Sequence, residues 1–379
     1  MALALNEEQR LLAETAHDFA ATKSPITELR GLRDRADPTG FSRDLWREMA
    51  ELGWAGIAIE ENYGGVGFGY FGLGLILRET GRSLTASPLL STALLGATAV
   101  QLAGSDQQRR DVLPAIAAGN RVMALAVDEG PRHRPEGLAL AATANADGFR
   151  LNGEKTLVLD GHVADQLIVA ARSDVAASGL DGITLFLVDA SAAGVERTRT
   201  IMVDSRNAAR IRFHDVAVDQ AAMLGELHQG GPLLDRILDH GRIGLAAEML
   251  GGVLEAFERT IAYLKMREQF GVAIGSFQAL KHRAAVMFSE IELAKSVVLD
   301  ALTALDEGRD DVAAMASLAK ARLSETFFLV GNEALQMHGG IGMTDEEEIG
   351  FFLKRARVAQ ATFGDAAFHR DRYAAIAGY

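Results

Sequence analysis

The sequence predicts an α+β multidomain chain. An N-terminal all-α domain is expected over residues 1–120, a middle β-barrel or β-sandwich domain over 121–225, and a C-terminal four-helix bundle over 226–379. Three observations carry this. Apolar residues recur with a helical rhythm through the first 120 positions, then near Arg121 give way to short β-branched runs between turn residues. After Gly225, long segments return with apolar residues spaced by 3 and 4.

The first helix is signalled by "NEEQRLLAETAHDFAA", where Asn6 and Gln9 stand near capping-box spacing. "SRDLWREMAELGW" and "LLSTALLGATAVQLAG" continue the 3.6-residue rhythm. The runs "VMALAVDE", "ADQLIVAARS", "GITLFLVDA" and "ARIRFHDVAVD" read as strands. In the last of these, Ile211, Phe213, Val216 and Val218 alternate with one slip after Phe213, which predicts a bulge. Asp147-Gly148 and Asn152-Gly153 are both read as hairpin turns. Leu250, Val253, Phe257, Ile261 and Leu264 then mark one bundle helix, and Ala284, Met287, Ile291, Ala294 and Val298 the next. The acidic run Asp345–Glu348 falls where the last long helix starts and suits the positive end of its dipole.

Bulk properties narrow the function classes. The 379 residues have room for two or three domains with real cores. A net charge of −13 argues against nucleic acid as a main partner, because phosphate binding needs basic patches. The absence of cysteine excludes disulfides, thiolate metal sites and thiol nucleophiles. No basic, apolar leader opens the sequence and no uncharged apolar run approaches the roughly 18 residues of a membrane span, so a soluble cytoplasmic protein is expected.

"GFGYFG" (Gly67–Gly72) matches a dinucleotide fingerprint, but no acid follows at ribose distance and no second strand succeeds it. It reads as a turn before a helix. The nine histidines form no metal-ligand pair, and His338 reads as structural or solvated. No G-x-S-x-G elbow is present. Two C-terminal stretches are more informative. "REQFG" (Arg267–Gly271) sets an arginine at a helix end beside an exposed Phe-Gly turn, suited to gripping a phosphate while the ring stacks on an adenine. "QMHGGIG" (Gln336–Gly342) offers backbone with little side-chain bulk to a pyrophosphate. Spacing alone leaves open whether these are ligand sites or ordinary helix ends.

The stretches "LGWAGIAIEENYGGVGFG", "GRSLTASPL", "REQFGVAIGSFQALKHRAA" and "LQMHGGIGMTDEEEIGFFLKRARVAQATFG" resemble, in order and over nearly the whole chain, the acyl-CoA dehydrogenase family. The resemblance implies FAD as cofactor, a tetramer, and oxidation of an acyl-CoA thioester to its enoyl form. In that chemistry a base removes the α-proton and flavin N5 takes the β-hydride. It assigns the cofactor side to Arg267, Gln269, Phe270, Ile274, Gln278, Gln336, Gly339 and Gly340, and the acyl-CoA side to Asp239 and Arg242.

Several positions depart from the family pattern. Where most members carry Glu-Gly-Thr, this chain has Phe363-Gly364-Asp365, so the base position holds a phenylalanine. Another branch carries its glutamate just before an arginine, and here Gly241 precedes Arg242. Asp365 lies two residues past the base position, about 7 Å further along an extended chain, whereas a base must come within roughly 3 Å of its proton. It reads better as an N-cap for the helix that follows. On the flavin side, "DEGPRHRPEG" keeps Glu129 of the usual Thr-Glu-Pro…Gly-Ser-Asp segment and little else, and Leu157-Val158-Leu159 replace Trp-Ile-Thr. The chain thus keeps what reaches a neighbouring subunit's FAD and loses what holds its own. That pattern resembles the small subunits of heteromeric members, such as those acting on pimeloyl-CoA or steroid side-chain thioesters, with a homologous larger subunit as partner. Two other readings remain: a self-sufficient homotetramer with Asp365, or next Asp239, as base, and a non-catalytic supporting subunit.

Overall fold

The computed structural model describes residues 5–379. Six α-helices open the described chain: α1 (Glu7–Lys23), α2 (Ile26–Asp34), α3 (Arg43–Glu51), α4 (Gly69–Arg82), α5 (Ala97–Ala103) and α6 (Asp106–Ala117). Asn6 caps α1 in a full capping box with Gln9. Of the glycine-rich "GFGYFG", Gly67 and Phe68 lead into α4 and Gly69–Gly72 already form its first turn, so the expected turn is shorter than the motif. One stretch departs from the expected rhythm. Leu89–Gly96 is a π-helix, every residue of it buried. There Ser91 Oγ donates to Asp160 at 2.6 Å and the Thr92 hydroxyl accepts from the Met123 amide at 2.9 Å. These side-chain bonds hold the chain in the wider coil, and hydropathy carries no trace of them.

The β region follows: β1 (Met123–Ala126), β2 (Ala141–Asn145), β3 (Gly148–Leu159), β4 (Gln166–Arg172), β5 (Ile183–Asp189), β6 (Val195–Ile201), β7 (Asn207–Val218) and β8 (Met223–Leu224). The sheet runs β6-β7-β3-β2-β4-β5-β8, with β1 beside β4. Leu151, Ile168, Leu185, Ile211 and Val216 are wholly buried in its core. Asp147-Gly148 closes the β2–β3 hairpin, with Asn145 pairing to Gly148. Asn152-Gly153, by contrast, is no turn. It lies inside β3, opposite the predicted bulge in β7, and Asn152 Oδ1 accepts from the bulged Asp215 amide at 2.9 Å. An Asn-Gly pair reads the same in either setting until the partner strand is known.

The C-terminal part contains α7 (Gly230–Met266), a small hairpin of β9 (Glu268–Gln269) and β10 (Val272–Ala273), α8 (Gln278–Glu307), α9 (Val312–His338), α10 (Ile349–Ala361) and α11 (Ala366–Ile376). The chain forms two compact units. One comprises residues up to Gly31, Gly74–Thr85 and Arg242–Tyr379, and the other Leu32–Leu73 and Ala86–Gly241.

In the helical unit α4 meets α7 at backbone distance: a Cβ on Gly251 would fall 1.8 Å from the Arg78 carbonyl oxygen. Arg82 of α4 reaches Glu255 of α7 at 3.5 Å across that packing, and further charged pairs surround it. Glu79 pairs with Arg78 at 2.6 Å and His17 at 3.1 Å, while Arg259 spans Glu255 and Glu348 at 2.8 Å each. Of these, His17, Glu79, Glu255, Arg259 and Glu348 line a cavity of about 190 Å³. Of the acidic run, Glu348 directly precedes α10 and Asp345 accepts from Arg30 at 2.9 Å. Among the described residues no helix is long and apolar enough to cross a membrane.

Candidate functional site

The helical unit brings together the residues around the expected base position. Helix α10 ends at Ala361, and Phe363 and Gly364 follow with φ of +58° and +103°. Only glycine fits at 364, because a Cβ there would lie 2.4 Å from the Phe368 ring. Phe363 is buried. Asp365 is the N-cap of α11, its carboxylate accepting from the Phe368 amide at 2.9 Å. The cap leaves the side chain at the surface.

Three basic side chains from three helices surround this turn. Arg242 of α7 is wholly buried, with its guanidinium carbon 5.6 Å from the Phe368 ring centre. Lys320 of α9 is also wholly buried, and its Nζ lies 2.8 Å from the Gly364 carbonyl. His369 of α11 donates from Nε2 to the Phe363 carbonyl at 3.0 Å. Burial, then the neighbouring Lys320 and Arg242 charges, push the His369 imidazole down to about 2, so the ring is neutral. Lys320 is pushed down to about 7, first by burial and then by Arg242, with Asp365 opposing.

Sequence reasoning named neither Lys320 nor His369. A signal for Lys320 exists: it sits in register with the buried Ala316, Leu323 and Phe327 of α9, a lone cation on an apolar stripe. Asp239 is buried one turn before Arg242 on α7.

The expected cofactor residues form a second, different surface of the same unit. Arg267, Gln269 and Phe270 belong to the β9–β10 hairpin, where Phe270 and Gly271 take φ of +55° and +78°. Two consecutive left-handed residues are what a two-residue I′ turn requires. Phe270 is 93% exposed. Among the described residues no side chain or backbone oxygen bonds the Arg267 guanidinium. Ile274 and Gln278 follow in the connection to α8. Tyr263 stacks on His338 with ring centres 4.4 Å apart, which draws the end of α7 beside the end of α9. His338 itself is buried, donating to the Ala334 carbonyl at 2.7 Å, as a structural histidine would. On either side of it, Gln336, Gly339 and Gly340 are exposed, and a Cβ at either glycine would meet nothing within 4 Å. An uncommitted guanidinium, a bare aromatic ring and open diglycine backbone are the donor set a dinucleotide's phosphates and adenine need.

In the β unit, the residues expected against a flavin ring are engaged internally. Glu129 accepts from the Ala139 and Leu140 amides and from Lys155 Nζ, at 2.8, 2.8 and 2.7 Å. Burial lowers Lys155 to about 8 while Glu129 counters it. Asp128 receives His133 at 2.9 Å. Leu157 is partly exposed in a left-handed conformation, and Leu159 is buried with no hydroxyl to offer.

Comparison with known proteins gives one answer along the whole chain. "Acyl-CoA dehydrogenase, N-terminal domain" matches residues 6–120, the middle domain 129–216 and the C-terminal domain 228–377. A 3-(aryl)acrylate reductase from Clostridium sporogenes is 32% identical over 93% of each chain. Butyryl-CoA dehydrogenase from Megasphaera elsdenii superposes with a TM-score of 0.91 at 28% identity, covering 100% of both chains. The ChsE4-ChsE5 complex from Mycobacterium tuberculosis gives 0.91 at 25% identity, again over 100% of both.

Proposed function

Because the chain belongs to the acyl-CoA dehydrogenase family, whose members are flavoprotein oxidoreductases acting on CH–CH bonds, we propose that it is a base-lacking subunit of a heteromeric FAD-dependent acyl-CoA dehydrogenase. The observation that carries this reading is the asymmetry between its two cofactor-facing regions. The Arg267–Gly271 turn and the Gln336–Gly340 loop are open and uncommitted, whereas Glu129 and its neighbours are bonded within the β unit.

FAD, when bound, accepts the β-hydride of the acyl thioester. This chain's residues would support FAD held mainly by the partner subunit: Arg267 would neutralise phosphate charge, Phe270 would stack on the adenosine half, and Gln336, Gly339 and Gly340 would allow close approach from the last loop. Gln269, Ile274 and Gln278 border the same surface. Asp239 and Arg242 serve the acyl-CoA side. The α-proton goes to a carboxylate on a homologous larger subunit, since Phe363 and Gly241 accept no proton and Asp365 is occupied as a cap. The ChsE4-ChsE5 complex, similar in fold at the same TM-score as butyryl-CoA dehydrogenase, is a two-protein precedent for that arrangement.

Incubating the isolated chain with FAD and an acyl-CoA in D₂O looks for a base that this chain itself carries. No deuterium at C2 is expected. Wash-in that Asp365→Asn abolishes would sink this reading and assign the base to Asp365.

A further inference from the structure

Lys320 carries a cost that packing does not explain. A fully buried ammonium is expensive to desolvate, and among the described residues no carboxylate comes within ion-pair distance of it. Instead its three N–H groups meet three uncharged acceptors: the Gly364 carbonyl at 2.8 Å, the Gln360 carbonyl at 3.1 Å and Ser324 Oγ at 3.2 Å. Gln360 belongs to the last turn of α10, whose carbonyls have no intrahelical partner. Gly364 lies just past the left-handed Phe363, whose own carbonyl is taken by His369. Side chains from α9 and α11 thus hold the turn at residues 360, 363 and 364.

We propose that Lys320 is a positioning residue that locks the turn carrying residue 363, the family's base position, so that Phe363 stays buried and Asp365 stays a cap. The inference rests on the reading of residue 363 given above and deepens it. Only a reshaped turn could bring Asp365 to that position, and Lys320 opposes the reshaping. The charged and titratable groups facing Lys320 are Arg242 from α7, and Asp365 and His369 at α11; α10 contributes carbonyls. Because burial brings Lys320 to about 7, the lock loses its charge assistance within the ordinary working range.

Amide hydrogen exchange of the peptide spanning residues 356–370 in the full-length chain provides the test. In the wild type, exchange corrected for its intrinsic pH dependence should rise severalfold between pH 6 and 8.5. Lys320→Arg, which keeps its charge, should stay slow across that range. Lys320→Met should exchange at least tenfold faster at pH 6 and show no pH-dependent rise. A wild-type profile that is flat after correction overturns the proposal, and that measurement needs no variant to fold. Equal exchange in wild type and Lys320→Met overturns it too. The outcome is separable from the subunit reading: a flavin-loaded chain that turns over alone would refute that reading and leave the exchange result standing.

Discussion

Two Phe-Gly turns in the helical unit share positive φ at both residues and have opposite surroundings. Phe270-Gly271 and Phe363-Gly364 both put a phenylalanine in the left-handed region, at φ of +55° and +58°. Such a conformation is uncommon for a bulky residue and persists only where the context enforces it. At Phe363 the context is internal: 9% exposure, with carbonyls held by Lys320 and His369. At Phe270 a two-stranded ladder and an edge contact with the Phe277 ring enforce it, and Phe270 still stands 93% exposed. The first turn is built to stay closed. The second presents a ring and an arginine to something outside the chain. In the proposed function the first is where a base has been lost and the second is where a shared cofactor is supported.

Alanine at the two glycines should separate the turns most strongly. Gly364→Ala adds a clash with the Phe368 ring to the left-handed penalty and should cost about 4 kcal/mol in urea unfolding. Gly271→Ala, with nothing within 4 Å of the new methyl, should cost about 1 kcal/mol. Equal costs would erase the distinction.

Acid should act on the closed turn next. His369 stays neutral in the folded chain, with a pKa of about 2 against its ordinary 6.5, so the unfolded chain binds the extra proton as pH falls. Stability is therefore full above pH 6.5 and is lost below it, by about 3 kcal/mol between pH 6.5 and 4. Urea midpoints across that range should fall in the wild type, and His369→Gln should flatten that slope.

The open turn should respond to ligand rather than to denaturant. Arg267→Ala should weaken FAD retention in the assembled complex by about 2 kcal/mol, some thirtyfold, while shifting the urea midpoint by less than about 0.5 kcal/mol. Unchanged flavin content would make Arg267 a bystander. The smallest effect belongs to Asp365. Its alanine variant should lose about 1 kcal/mol with the cap and its asparagine variant almost nothing, with turnover of the complex unchanged in the latter.

Legibility in the sequence followed the range of the interaction. The caps at Asn6 and Asp365 lie within three residues of their partners, so local spacing reveals them. The Arg267–Gly271 turn is likewise local, its two strands pairing within six residues, whereas the same Phe-Gly pair at 363–364 is buried by contacts distant in sequence. The bulge in β7 shows as a slip in alternation, but its partner Asn152-Gly153 reads as a turn because the pairing that decides it spans 63 residues. Lys320 reaches Gly364 across 44 residues and a change of helix, and nothing in either segment alone announces the contact. The π-helix is set by Asp160 and Met123, both distant in sequence.

Flavin stoichiometry tests the central claim most directly. The visible spectrum of this chain would be recorded after purification alone and after co-expression with a larger homologue, followed by anaerobic addition of acyl-CoA thioesters. The base-lacking subunit should be colourless alone and carry flavin that bleaches only in the complex. A chain that is fully yellow alone, and bleaches with an acyl-CoA, would contradict the account.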